Sequence, residues 1–205
     1  MALSGLDAKR IERSIAEIER RSSAEVVVCW LPRADEYAFT RACYSLALTL
    51  ILTWLLIVRF PLWPLSFLIA LEGPLWALFY RILGSSVLLR LLVSERQKTQ
   101  ALFNRTQQLF IERGVTETRQ RSGVLIVIAE AERKVRLLAD RGIHQQMGDD
   151  GWREQLAPLL LSMRQGRYAD GVVQLLTRLG DVLALHFPVA ADDVNELPDA
   201  VFRGR

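Results

Sequence analysis

Apolar and polar positions along this chain follow three different patterns, and the longest apolar blocks sit in its middle. Residues 42–58 carry no charged side chain, nor do residues 60–71, and Glu72 alone interrupts the run before Arg81. A helix rises about 1.5 Å per residue, so about 20 apolar residues cross a bilayer. The stretches Tyr37–Val58 and Leu62–Leu83 approach that length, and Phe60-Pro61-Leu62-Trp63-Pro64 separates them. Proline cannot continue either helix there, so the pattern predicts a two-helix transmembrane hairpin.

Before the hairpin the period is helical, then extended. Ser4 to Arg21 places Ile11, Ile15 and Ile18 on one face, with Glu and Arg residues on the other. Glu25–Leu31 (EVVVCWL) is a segment of strand length, apolar without a break after Glu25 and closed by Pro32, as in a strand covered on both faces. After the hairpin, Ser94 and Gln97 form a capping box for a helix running to about Arg113, with Gly114 as its stop. Gly123–Glu130 (GVLIVIAE) and Lys134–Asp140 (KVRLLAD) read as two strands joined by a tight turn at Ala131–Arg133. Gly142–Asp150 is expected as a loop. Gly151–Gln165 and Tyr168–Phe187 follow as amphipathic helices, and the tail after Pro188 is expected to be mobile.

The expected fold is α/β: a small mixed sheet between helices, with the hairpin inserted in the crossover after the first strand. The first strand should lie parallel to the second. The expected division is residues 1–36 as first helix and strand, 37–93 as hairpin, 94–188 as the remainder of the domain, and 189–205 as a flexible tail.

Charge adds orientation. Arg33 and Arg41 precede the hairpin, Arg81, Arg90, Arg96 and Lys98 follow it, and the turn holds only Arg59. Lys and Arg favour the cytoplasmic side, so both termini are expected there. Met1 to Arg21 lacks the apolar core of a signal peptide, which agrees. A net charge of +3 without a clustered basic face gives no footprint for nucleic acid. The expected partners are the lipid bilayer and an unidentified membrane or cytoplasmic protein. Cys29 and Cys43 form no C-x-x-C pair and read as reduced structural thiols.

Motif chemistry is sparse. The chain has no G-x-x-x-x-G-K-[ST], G-x-G-x-x-G or G-x-S-x-G sequence, and only two histidines. His186 ends an apolar helix stripe and reads as structural. The polar concentration lies at residues 140–150, between a strand end and a helix start. Asp140, His144, Asp149 and Asp150 there could hold a divalent cation, Ca²⁺ or Mg²⁺. Asp149 and Asp150 equally suit the N-cap of the next helix, where a side-chain oxygen accepts from free backbone N–H groups. Glu72 is a second oddity, since a carboxylate inside a membrane segment is costly. It either lies near an interface, hydrogen-bonds Thr49 or Thr53 across the hairpin, or serves a proton or ion.

Five motifs resemble the TPM domain family: T-x-x-R-x-G-V-L-I at Thr118–Ile126, A-D-x-G-I-H at Ala139–His144, G-D-x-x-W at Gly148–Trp152, G-x-Y-A-D-G at Gly166–Gly171, and N-E-L-P-D at Asn195–Asp199. Residues 6–33 fit that family's first helix and strand. The resemblance implies a small α/β domain with a mixed sheet between helices. It also implies, from activities credited to plant members, acid phosphatase chemistry and divalent-metal binding near acidic loops. Secreted bacterial relatives carry a signal peptide; this chain instead has its membrane segment inside the domain. Two functions follow as expectations: a non-enzymatic interaction module, without cofactor, at the inner face of a bacterial cytoplasmic membrane, or a divalent-metal-dependent phosphatase using the acidic loop.

Overall fold

The computed structural model describes residues 3–118, 121–189 and 196–204, apart from the side chains of residues 117, 144, 146–150 and 153. The chain divides into two compact units: Met1–Ala34 with Gln100–Arg205, and Asp35–Thr99.

In the first unit, α1 (Gly5–Glu19) starts where the Ser4 hydroxyl accepts from the Asp7 N–H. It buries Ala8, Ile11, Ile15 and Ile18. Strand β1 (Glu25–Leu31) pairs parallel with β2 (Gly123–Ala129), in register from Glu25 opposite Gly123 to Leu31 opposite Ala129. Strand β3 (Lys134–Ala139) runs back antiparallel to β2. All seven residues of both β1 and β2 are buried, because helices cover the two faces of the sheet. Val26, Val28, Trp30, Val124, Ile126 and Ile128 face the side of α1, α6 (Arg141–Arg164) and α7 (Tyr168–His186). The alternate residues, among them Val27, Cys29, Leu125 and Val127, meet Leu102 and Leu109 of α5 (Glu95–Glu112) and Val115 beyond it.

Two expectations are corrected here. The tail after Pro188 is expected to be mobile, but Phe202–Arg203 forms β4 beside β1, giving the sheet order β3-β2-β1-β4. Without it β1 would be an edge with unpaired backbone groups. The Arg113 guanidinium stacks over the Phe202 ring at 3.7 Å, Val201 is buried, and the Glu196 N–H donates to the Glu25 carboxylate at 2.9 Å. The second correction concerns residues 142–150. They are not a loop, because α6 starts at Arg141 and runs through them, capped by Asp140 rather than by Asp149 or Asp150.

In the second unit, α2 (Ala38–Arg59) and α3 (Leu65–Leu83) pack on each other, and α4 (Ser86–Leu92) follows. Ser94 and Gln97 form the expected capping box, with reciprocal bonds of 3.1 and 3.3 Å. Helices α2 and α3 are long and apolar enough to cross a membrane, and their apolar windows are only 11% and 6% buried. The buried residues of α2 are small and polar: Ser45, Thr49 and Thr53, one turn apart. Ser45 and Thr49 donate to the carbonyls of Ala42 and Ser45, so each hydroxyl is satisfied within its own helix. Large apolar side chains such as Trp54, Leu55 and Phe67 point outward. The pattern is inverted relative to a water-soluble helix pair. Its two ends differ. Arg41 reaches the Tyr80 carbonyl at 3.0 Å and lies over the Tyr80 ring at 4.1 Å. At the turn, Phe60 stacks on Trp63, whose ring meets Phe67 edge-on.

Candidate functional site

The register of the sheet separates two polar regions. The first lies at the amino ends of β1 and β2. Because β3 is antiparallel, its carboxyl end reaches this edge too, and the Asp140 N–H donates to the Gly123 carbonyl at 2.9 Å. The rule that ligands bind at the carboxyl ends of parallel strands therefore does not apply to Asp140. One of its oxygens accepts from the Arg141 N–H at 2.7 Å and caps α6. The other is buried, accepts no hydrogen bond from a described residue, and lies 4.0 Å from the Arg121 guanidinium.

Three family-like motifs meet at this edge. Thr118 accepts from the Ser122 N–H, and the Ser122 hydroxyl donates to the Ser23 carbonyl, which fixes the turn that carries Arg121. Asp140 comes from the second motif. Glu196 and Asp199 come from the third, brought in by the C-terminal segment. Asp199 is hydrogen-bonded to Glu19, the last residue of α1. Burial pushes the Glu19 carboxyl up from 4.5 to about 9; the hydrogen bond and charge of Asp199 and the charge of Glu25 add to this, and a backbone bond at Val26 opposes it. Glu19 thus holds a proton beside Asp199 at neutral pH.

Of the residues expected to bind a cation, the side chains of His144, Asp149 and Asp150 lie outside the described residues. Their backbone is helical. At about 1.5 Å per residue, position 144 stands one turn from Asp140, while 149 and 150 lie about 13 Å or more along the axis. The helix therefore splits the four into two pairs. Among the described residues, no group of three or more His, Cys, Asp or Glu side chains is arranged to hold a metal ion.

The second region is a cleft of about 220 Å³ at the other end of β1, lined by Leu3, Asp7, Arg10, Trp30 and residues 166–170. Trp30 is about 17 Å from Glu25 along the strand at about 3.3 Å per residue. Its indole N–H donates to Glu130 at 2.7 Å, and its ring meets Tyr168 edge-on at 6.3 Å. Arg10 pairs with Asp170 at 2.9 Å. The G-x-Y-A-D-G motif builds this wall: Gly166 (φ +77°) ends α6 in a left-handed conformation. Gly171 lets α7 approach α6, since a Cβ there would lie 2.8 Å from Ser162 Cβ.

Sequence reasoning missed the Glu19–Asp199 pair and the cleft. Their signals were present, Asp199 in N-E-L-P-D and Tyr168 in G-x-Y-A-D-G, but nothing local paired them with α1 or β1. The expected bond from Glu72 to Thr49 or Thr53 is not formed. Glu72 makes no hydrogen bond or ion pair to a described residue, and Thr49 is committed to its own helix. Cys29 is buried, and burial pushes its thiol up to about 11, which leaves it protonated and unreactive.

A four-stranded mixed sheet between helices, with a hairpin after its first strand, defines the class: a small α/β domain interrupted by two apolar helices. Residues 85–182 match the family model for the TPM domain. The NMR structure of the BA42 protein from the psychrophilic bacterium Bizionia argentinensis is similar, with a TM-score of 0.64 and 19% identity over 100% of this chain and 97% of that one. At that identity the likeness shows the fold alone. No curated protein sequence matches the chain.

Proposed function

We propose that this protein is a membrane-anchored TPM-domain module that presents its α/β domain to a protein partner at the inner face of a bacterial cytoplasmic membrane, without catalysing a reaction. The inverted packing of the hairpin carries the reading. Helices whose apolar side chains face outward over about 28–33 Å of length need hydrocarbon around them. Arg41 and Arg81 stand at one end of the hairpin and Arg59 alone at the turn, so the turn is external and both termini are cytoplasmic. Thiol labelling of Ser4→Cys and Leu62→Cys variants of a Cys43→Ser chain in intact cells tests this. Leu62→Cys should label from outside and Ser4→Cys should not; the reverse overturns the topology.

The second reading is a divalent-cation-dependent phosphatase at the acidic edge. The buried Asp140 oxygen with no hydrogen bond favours it; the splitting of its partners along α6 does not. Calorimetric titration of the full chain with Ca²⁺ and Mg²⁺ separates the two. Saturable binding that is lost in the Asp149→Asn/Asp150→Asn double variant makes the phosphatase the leading reading.

A further inference from the structure

Glu72 lies within α3, seven residues from its start and eleven from its end. Those steps are about 10 and 16 Å of helix, so in a bilayer the carboxyl sits deep in hydrocarbon. There it has no partner among the described residues. Arg81 on the same helix is about 13 Å away along the axis. A carboxyl at that depth is stable only against a hydrogen-bonding group at the same depth.

The surface around Glu72 has the form of a helix-packing seam. Leu65, Ile69, Glu72 and Trp76 are spaced four, three and four residues apart, which puts them within about 60° of each other around the helix. Leu65, Ile69 and Trp76 are 62%, 59% and 38% exposed. Beside them Gly73 has open space in front of it and allows close approach of another backbone.

We propose that two copies of the chain pair in the membrane along this face of α3, with Glu72 of each hydrogen-bonded to Glu72 of the other. The inference rests on the bilayer reading above. Two copies inserted with the same topology are related by an axis along the membrane normal, so each residue meets its counterpart at its own depth. A second copy therefore supplies a carboxyl at the required level. Each carboxyl then has a hydrogen-bonding partner at its own depth, and the apolar residues of the seam pack above and below.

Exposed Cys43 provides a label. The full chain, labelled with donor or acceptor dye and reconstituted in phospholipid vesicles, should show energy transfer that persists as lipid is added. Glu72→Gln should preserve it. Glu72→Leu should weaken pairing about tenfold, the range of polar contacts between membrane helices. In a Cys43→Ser background, Ile69→Cys should crosslink between copies and Leu78→Cys, on another face of α3, should not. Transfer at the level of chance encounters, or an unaltered Glu72→Leu, overturns the proposal. Alkaline extraction of the same vesicles is read separately. A chain that resists extraction yet stays monomeric refutes the pairing and leaves the anchoring intact; a chain that is extracted refutes both.

Discussion

Replacing Glu19 by Gln should remove a pH dependence built into the base of the fold. Glu19 has its folded-state value raised from 4.5 to about 9, chiefly by burial and then by Asp199. Between those values the folded protein holds a proton that the unfolded chain has released. Stability therefore falls as pH rises from about 4.5 to about 9, and is highest below that window. The full shift corresponds to at most about 6 kcal/mol. Glu19 keeps substantial contact with solvent, and screening reduces the effect to about 1–2 kcal/mol. In a chain of this size that is a fall in Tm of about 3–6 °C between pH 5 and pH 9. Glu19→Gln keeps a donor for Asp199 but has no proton to lose, so its Tm should fall less, and at pH 8 it should melt above wild type. Circular-dichroism melts of the full chain in detergent at pH 5, 7 and 9 measure both, and titrations shared by the two chains cancel in the difference. Parallel pH profiles for the two proteins would refute the argument, because the proton would then not reside in this pair. Cys29 does not confuse the result, since its folded-state value of about 11 affects stability only above pH 9.

Three further outcomes are expected. Gly171→Ala should cost about 1–3 kcal/mol, since the new methyl meets Ser162 Cβ and Leu159 Cδ1, and denaturant unfolding reads it. Asp140→Ala should lose the α6 cap and about 0.5–2 kcal/mol, by the same amount with and without Ca²⁺ or Mg²⁺; a loss that grows when the cation is present contradicts the capping role. Ser45→Leu overfills the fully buried contact between α2 and α3, so the hairpin in vesicles should become more accessible to protease at its turn; unchanged accessibility would show that this contact does not hold the hairpin closed.

Sequence alone determined most of the elements, because those are written in local patterns. The apolar runs at 26–31 and 123–129 read as strands covered on both sides, and both are fully buried. The Ser94–Gln97 box started α5, and Ser45, Thr49 and Thr53 already stood one turn apart on an apolar helix. Local pattern also misled where two chemistries share one signal. Asp140, Asp149 and Asp150 are all good caps, and only the packing of α6 against the sheet chose the first. What the tertiary structure alone decided was proximity between distant segments. The antiparallel turn of β3 carried Asp140 to the amino edge of the sheet, away from the Trp30 cleft. The return of the C-terminal segment to the open edge of β1 placed Asp199 against Glu19, 180 positions earlier, and so helped raise the Glu19 carboxyl in a way that its neighbours in the chain do not show. Backbone pairing across a sheet is satisfied by whatever segment reaches the edge, and the sequence encodes that reach only through the whole fold.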